Sequence, residues 1–114
     1  MKVLITGASR GIGAAMAKRY RAKGHDVIGT SRSAQADWQL DVTEVESQRA
    51  LAERLGATAL DLLICNAGVY LDKGQDLDTG YAAALWAETF AANVTGVFLS
   101  VQSLLPQLRR ARSS

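Results

Sequence analysis

The chain has 114 residues, a length that fits one domain with a modest hydrophobic core. Hydrophobic residues make up 48% and charged residues 21%, as in ordinary globular proteins, and a net charge of +2 is too small to indicate a nucleic-acid or membrane surface as partner. The single cysteine, Cys65, excludes an internal disulfide and suits a reducing compartment. No apolar run approaches the ~18 residues of a membrane span, and a strand is predicted from residue 3, so we expect a cytoplasmic protein without a signal peptide.

The chain opens with a predicted buried strand, a glycine-rich turn and a helix. Residues 3–5 form a short apolar run that ends at Thr6, and glycines follow at Gly7, Gly11 and Gly13. In this order a glycine motif is typical of a phosphate site. The first glycine permits a sharp turn, the second a close approach to a pyrophosphate, and the third close packing of helix on strand. The free N–H groups at the helix start then face the anion.

Strands and helices alternate in the rest of the chain. Apolar residues at helical spacing predict a first helix that ends at Lys23-Gly24. Short apolar runs predict further strands over residues 27–30, around 38–40 and over 60–65. The spacing of the first helix is set by Ile12, Ala15, Met16, the stem of Arg19, and Tyr20.

Two more helices complete the pattern. Thr43 followed by Glu46 is a capping box, which predicts the start of a second helix that Gly56 ends. After a polar loop through Gly80, a last long helix is predicted over about residues 81–110. The inward face of the second helix is expected to consist of Val45, Gln48, Leu51, Ala52 and Leu55. The apolar stripe of the last helix consists of Phe90, Val94, Val97, Phe98, Val101, Leu104, Leu105 and Leu108.

This alternation predicts an α/β fold with a parallel sheet and right-handed crossovers. A Rossmann-type, doubly wound sheet has the strand order 3-2-1-4, with its ligand crevice at the carboxyl ends of strands 1 and 4. Two loops would meet there, residues 7–13 and residues 66–68. They are distant in sequence, and only this topology makes them neighbours.

The connection after the second strand bears on which dinucleotide is bound. An NAD site places a carboxylate there for the ribose 2′-OH, whereas this chain reads Thr30-Ser31-Arg32-Ser33. The guanidinium of Arg32 can bind a 2′-phosphate through two parallel hydrogen bonds, and Arg10 in the glycine turn lies on the other side. The pair favours NADP over NAD. The alternative is that both are ordinary solvated arginines.

The Thr-Gly-x-x-x-Gly-x-Gly spacing from Thr6 to Gly13 resembles the short-chain dehydrogenase/reductase family. Members of that family transfer a hydride between NADP(H) and a carbonyl or alcohol, using a serine, a Tyr-x-x-x-Lys pair and an asparagine. The resemblance implies that NADP(H) is held by Gly7, Ser9, Arg10, Gly11, Ile12, Gly13, Arg32, Asp41, Val42, Asn66, Ala67 and Gly68.

Two segments of that set have a second interpretation. Asp41-Val42 resembles the family's adenine-contacting element, but a carboxylate here also suits the start of a helix. With Thr43 in the cap position, the Asp41 side chain is expected to face the crevice. The tripeptide at 66–68 matches the family's Asn-Ala-Gly, where small residues let the backbone pass close to the coenzyme ribose. A plain turn also favours Asn and Gly.

Asn93 lies in the middle of the last predicted helix, where asparagine is a poor helix former. The run from Asn93 to Gly96 resembles the family's Asn-Val-x-Gly, whose asparagine is associated with a loosened helix turn and a water in the proton relay. The resemblance implies a catalytic role for Asn93, and such turns often mark functional sites. The alternative is an asparagine satisfied by a loop carbonyl. No His/Cys cluster or other pattern indicates a metal.

The resemblance covers only the coenzyme-binding half of the family's domain. No Tyr-x-x-x-Lys occurs in the chain, and strands 5–7, with the serine, tyrosine and lysine, would follow Ser114. We therefore expect a single domain truncated at its C-terminal end and inactive by itself. Four strands cannot cover the whole last helix, so residues 81–110 are expected to pair with a second copy or with the remainder of the chain.

Other functions fit the same residues. A chain that ends at Ser114 would be a non-enzymatic NADP(H)-binding or sensing module. A structural subunit would use the last helix to recruit another protein. The family's sugar-epimerase relatives fit less well, because they tend to a Gly-x-x-Gly-x-x-Gly spacing.

Overall fold

The computed structural model describes residues 1–33, 36–68, 77–78, 80 and 82–112. The first half of these residues forms strand β1 (Lys2–Thr6), helix α1 (Gly11–Ala22), strand β2 (Asp26–Ser31), strand β3 (Trp38–Gln39) and helix α2 (Val45–Leu55). The second half forms strand β4 (Leu62–Ile64), helix α3 (Ala83–Phe90), a π-helical turn (Ala91–Thr95) and helix α4 (Gly96–Arg110).

The four strands form one parallel sheet in the order β3-β2-β1-β4. In the register of this sheet, Val3 of β1 lies between Val27 of β2 and Leu62 of β4. The α/β class and the predicted strand order are therefore confirmed. The carboxyl ends of β1 and β4 lie side by side, which is where a doubly wound sheet binds its ligand.

Alternate residues of the central strands supply two separate cores. Val3 and Ile5 face α1, where they pack with Ala17. Leu4 faces the opposite side with Ile28, in the core that α2 and α4 cover. Because both faces of β1 are covered, residues 3–5 are fully buried and read as a continuous apolar run.

Helix α2 does not begin as the capping-box pattern predicts. It starts at Val45 with Glu44 in the N-cap position, and no side-chain cap bond is made. The predicted capping box at Thr43 is therefore wrong, because the Thr43 hydroxyl bonds to Asp41 instead. Val45 is also 54% exposed rather than inward-facing. Gln48, Leu51 and Leu55 are buried as expected.

The predicted last helix corresponds to α3, the π turn and α4, which run without a break over 28 residues. Tyr81, the expected first residue, and most of the preceding loop lie outside the described residues. The face that packs on α2 and the sheet shares Leu104 and Leu108 with the expected apolar stripe but otherwise consists of other residues. The buried positions are Ala92, Gly96, Ser100, Leu104 and Gln107. Of the expected stripe, Phe90, Val94, Phe98 and Val101 are exposed.

By length and composition alone, this helix is long and apolar enough to cross a membrane. The sequence expectation that no stretch reaches that length is therefore not met. The most apolar 18-residue window of the helix has a mean hydropathy of 1.2, and 17% of the window is buried. Such a signal is weak when it comes from a single helix that also packs against a sheet.

Strand β4 is shorter than its apolar run. Leu60 lies outside the strand but is fully buried, and its N–H donates to the carbonyl oxygen of Gln107 at 3.0 Å. The short strand β3 is held through Trp38, which packs on the core that α2 and α4 cover. The Arg54 guanidinium of α2 stacks 3.9 Å from the centre of the Trp38 ring. Both edges of the sheet are thus tied to helices on the same face.

Candidate functional site

A cavity of about 590 Å³ opens at the carboxyl ends of the strands. The loops after β1, β2, β3 and β4 form its walls, together with one residue of the π turn. Its lining consists of Gly7, Ser9, Arg10, Gly11, Ser31, Arg32, Ser33, Leu40, Asp41, Val42, Thr43, Asn66, Ala67, Gly68 and Ala92. Its size lies within the ~300–1,000 Å³ that is typical of small-molecule sites.

Thr6 fastens the loop after β4 to the end of β1. Its buried hydroxyl accepts hydrogen bonds from the N–H groups of Asn66 and Ala67, both at 3.0 Å. In return, Asn66 Nδ2 donates to the carbonyl oxygen of Gly7 at 3.0 Å. Three hydrogen bonds therefore hold together two loops that lie about 60 residues apart in the chain.

Two glycines of the motif permit close backbone packing. Gly7 has a φ of +68°, and a Cβ placed there would lie 2.8 Å from the Cα of Ala67. A Cβ on Gly13 would lie 2.1 Å from the carbonyl oxygen of Gly7, so only glycine lets α1 approach the turn. Gly11 has a φ of +60° and lines the cavity, and no atom lies within 4 Å of the position that a Cβ would take there.

No side chain caps the first turn of α1 in the part of the chain that the structure describes. Arg10 holds the N-cap position, makes no side-chain cap bond, and the first turn has no acidic residue. The N–H groups of this turn and the positive end of the helix dipole are therefore available to an anion in the cavity.

Two arginines line the cavity on opposite loops, Arg10 before α1 and Arg32 after β2. Both side chains are exposed, and neither guanidinium has an ion-pair or hydrogen-bond partner within the described part of the chain. The backbone of Arg32 is held by Gln39, whose Nε2 donates to its carbonyl oxygen at 2.8 Å. The hydroxyls of Ser31 and Ser33 lie 3.0 Å apart beside it.

The nearest acid along the chain after β2 faces elsewhere. Asp37 accepts a hydrogen bond from the Gly29 N–H at 2.9 Å and pairs with Arg21 of α1. It is not part of the cavity lining. The carboxylate that does line the cavity is Asp41, on the loop after β3.

The sequence predicted that Thr43 caps α2 and leaves the Asp41 side chain free to face the crevice, but Asp41 is held by local hydrogen bonds. One carboxylate oxygen accepts from the Thr43 N–H at 3.0 Å and from the Thr43 hydroxyl at 2.6 Å. The Asp41 N–H donates to Ser47 Oγ at 2.9 Å. This local turn fixes the loop that bears Asp41 and Val42, so the residue has a structural role whatever else it binds.

Asn93 lies in the π turn, which confirms the loosened helix turn that was expected around it. A Cβ on Gly68 would lie 2.7 Å from Asn93 Oδ1, so the asparagine side chain lies directly against the loop after β4. Asn93 itself is not part of the cavity lining, but its neighbour Ala92 is.

Of the candidate site residues, ten line the cavity together: Gly7, Ser9, Arg10, Gly11, Arg32, Asp41, Val42, Asn66, Ala67 and Gly68. Gly13 lies behind the turn, and Ile12 is 73% exposed and outside the lining. The lining residues that sequence reasoning missed are Ser31, Ser33, Leu40, Thr43 and Ala92. The two serines flank Arg32, so their position was a usable signal, whereas Leu40 and Ala92 carry no polar group that marks them.

Cys65 lies between β4 and the cavity loop. It is half-buried, and this burial raises the pKa of its thiol. A neutral thiol is a poor nucleophile, so this cysteine behaves as a small apolar side chain.

Comparison with known proteins gives one consistent result. The family model described as short chain dehydrogenase matches residues 1–114. A rhamnolipids biosynthesis 3-oxoacyl-(acyl-carrier-protein) reductase of Pseudomonas aeruginosa is 35% identical, with 97% of this chain and 49% of the relative covered. The 3-oxoacyl-(acyl-carrier-protein) reductase FabG of Escherichia coli is 32% identical over 96% of this chain and 50% of its own length.

Among solved structures, the Pseudomonas aeruginosa RhlG/NADP active-site complex superposes with a TM-score of 0.87 at 35% identity. It matches 99% of this chain and 50% of that chain. The chain thus spans about half the length of the relatives that it matches.

Proposed function

Because this chain belongs to the short chain dehydrogenase family, we propose that its cavity binds NADP(H) for hydride transfer with a carbonyl or alcohol substrate. In this proposal the 114 residues supply the coenzyme-binding half of the oxidoreductase. The observation that carries it is the placement of Arg10 and Arg32 on opposite loops of one cavity, with neither guanidinium paired to any of the described residues. A similar structure that contains NADP supports the same coenzyme.

The preference for NADP over NAD rests on charge. The 2′-phosphate is a dianion near neutral pH, and a planar guanidinium matches its oxygens in pairs. Arg32, with Ser31 and Ser33 beside it, offers donors to such a group. The acid that follows, Asp37, is held away by Arg21 and the Gly29 N–H, so no carboxylate of this loop competes for the site.

The other lining residues fit the remaining parts of the coenzyme. The backbone from Gly7 to Gly13 and the start of α1 would bind the pyrophosphate. Asp41 and Val42 would contact the adenine, and Asn66 to Gly68 would pass close to the nicotinamide ribose. When bound, the coenzyme would supply a hydride to a carbonyl substrate or accept one from an alcohol. Asn93, against Gly68, would contribute to catalysis by ordering a water for proton transfer.

The chain contains no Tyr-x-x-x-Lys, so we expect it to bind NADPH without turning over a carbonyl substrate. This distinguishes the proposed enzyme half from a complete enzyme. Turnover of carbonyl compounds by these residues alone would contradict the assignment. A chain that binds NADPH and has no further catalytic segment would instead be a sensing module.

The decisive experiment replaces both arginines in one double variant, Arg10→Ala with Arg32→Asp. Removing two charge-assisted contacts is expected to weaken NADPH binding by about 100-fold while leaving NADH binding within about threefold. Fluorescence titration of both coenzymes measures the ratio. The matched control, Arg109→Ala with Arg110→Asp, makes the same charge change in the last turn of α4, outside the cavity. An unchanged preference in the cavity variant would refute the NADP assignment.

The exposed apolar face of the last helix supports a partner for this chain. Phe90 and Phe98 are 52% and 66% exposed, on a helix whose opposite face is already packed. We infer that a second copy, or the remainder of the polypeptide, covers this face. Light scattering of the 114-residue chain is expected to give a dimer or larger species, and a stable monomer would contradict this.

The location that we propose is the cytoplasm, without membrane or nucleic-acid partners. A small net charge of +2 favours neither. The candidate membrane helix buries Ser100 and Gln107 against α2, and crossing a bilayer would require it to leave these contacts. Recovery of the protein in the soluble cell fraction after a salt wash is the expected result.

A further inference from the structure

One buried polar residue, Gln48, lies at a position where α2 otherwise buries leucines. It is 1% exposed and faces α4. Its side-chain Nε2 donates to Ser100 Oγ at 2.8 Å and lies 3.2 Å from the carbonyl oxygen of Val42 and 3.3 Å from that of Gly96. The Ser100 hydroxyl in turn donates to the Gly96 carbonyl at 3.0 Å.

The other polar atom of the Gln48 amide, its oxygen, is not satisfied within the described residues. The Oε1 atom of Gln48 is buried and has no hydrogen-bond partner in the part of the chain that the structure describes. A buried polar atom left without a partner lowers stability, and an apolar side chain of the same length would avoid that cost. What a glutamine provides at this position is therefore the set of Nε2 contacts to Ser100 and to the carbonyl oxygens of Val42 and Gly96.

The residues that Gln48 contacts belong to two different walls of the site. Val42 lines the cavity on the loop after β3. Gly96 directly follows the π turn, and its N–H donates to the carbonyl oxygen of Ala91, the bond that gives the turn its extra residue. A Cβ on Gly96 would lie 2.9 Å from Val42 Cγ2, so the two walls also touch.

We propose that Gln48 is a positioning residue, whose amide ties the Val42 wall to the π turn and so sets where Asn93 and Ala92 lie relative to the bound coenzyme. This inference rests on the proposed function. Gln48 itself lies outside the cavity lining and acts only through the two backbone carbonyls and Ser100.

The chain contains a matched control in Gln107. It is also buried, at 5% exposure, and also joins α4 to α2, with Nε2 donating to the carbonyls of Ala52 at 3.2 Å and Gly56 at 2.9 Å. Its Oε1 likewise has no partner within the described residues. None of these three residues lines the cavity, so Gln107 joins the same helices without bonding to a residue of the cavity lining.

The experiment compares Gln48→Met with Gln107→Met, since methionine keeps the length and volume of glutamine. Both variants are expected to show similar shifts in the urea midpoint. Only Gln48→Met should weaken NADPH binding, by about three- to tenfold, the effect of one net hydrogen bond, while Gln107→Met stays within about twofold. In ¹⁵N spectra of the coenzyme-free protein, only Gln48→Met should move the amide resonances of residues 91–95.

Equal NADPH affinities for the two variants would overturn the inference, as would unchanged resonances for the π turn in Gln48→Met. Failure of the unaltered protein to bind NADPH would instead refute the proposed function. Ser100→Ala gives a second test that does not depend on how well Gln48→Met folds. It should weaken NADPH binding by about two- to threefold, and adding it to Gln48→Met should cause no further loss, because both act through one network.

Discussion

On the helix over residues 83–110, the face that packs within the chain is less apolar than the face that is exposed, whereas hydrophobic patterning predicts the reverse. The inner face is buried and consists of Ala92, Gly96, Ser100, Leu104 and Gln107. The outer face carries Phe90, Val94, Phe98 and Val101, which are 52%, 54%, 66% and 41% exposed. The more apolar face is therefore not the one that packs within this chain. Patterning identifies an apolar stripe, but not the surface that covers it.

Close approach explains why the inner face is built from small and polar residues. Gly96 lets Val42 come within van der Waals contact, where any side chain would collide. Ser100 and Gln107 each reach a partner on α2, so their polar groups are partly satisfied when buried. Leu104 is fully buried on this face, in the core that α2 and α4 cover, and Leu108 packs partly buried against the same core.

The largest expected difference between the faces comes from Leu104→Ala. Removing a fully buried leucine is expected to lower the free energy of unfolding by about 2–5 kcal/mol, because it leaves a cavity among Leu4, Leu51 and Leu60. The matched change on the outer face, Val101→Ala, should cost less than about 1 kcal/mol. Urea unfolding of both variants measures the difference, and equal losses would mean that the outer face is buried too.

A smaller effect is expected from Gly96→Ala. The added methyl group would lie 2.9 Å from Val42 Cγ2 and 3.0 Å from the carbonyl oxygen of Ala91. Overpacking of this kind costs about 1–3 kcal/mol, which exceeds the 0.5–1 kcal/mol or so that alanine gains over glycine in a helix. We therefore expect a lower thermal midpoint and weaker NADPH binding. A midpoint above that of the unaltered protein would show that Val42 moves aside easily.

The smallest effect on folding stability is expected from Phe98→Ser on the outer face. Phe98 is 66% exposed, so the free energy of unfolding of the isolated chain should change by no more than about 0.5 kcal/mol. The molar mass from light scattering should nevertheless fall toward that of a monomer. A large loss of stability without a change in mass would place Phe98 in the core of the chain itself.

The part of the site closest to the N-terminus was predictable because its signals are local. The strand, the three glycines and the start of α1 are adjacent in sequence, and each glycine has a steric reason that the structure displays at Gly7 and Gly13. The alternation of elements predicted a parallel sheet with right-handed crossovers, and the order 3-2-1-4 followed from taking that sheet as doubly wound. Of the twelve coenzyme-binding residues that the family resemblance implied, ten line one cavity.

The segment around α2 was less predictable, because short polar side chains there choose between competing partners. The Thr43 hydroxyl bonds to Asp41 rather than capping α2, and both arrangements use the same sequence. Val45 was expected inside from its spacing, but α2 is rotated so that Gln48, Leu51 and Leu55 face α4. That rotation depends on contacts about 50 residues away.

The sequence by itself determined the parallel sheet and the glycine turn, because local periodicity, glycine sterics and crossover handedness are enough for these features. It also predicted the approach of loops 7–13 and 66–68, once the sheet was taken as doubly wound. Only the tertiary structure decided which face of the last helix is buried, how Asp41 is held and that Gln48 bridges two walls of the cavity. Burial and hydrogen-bond pairing depend on which surfaces meet, and residues far apart in the chain supply those surfaces.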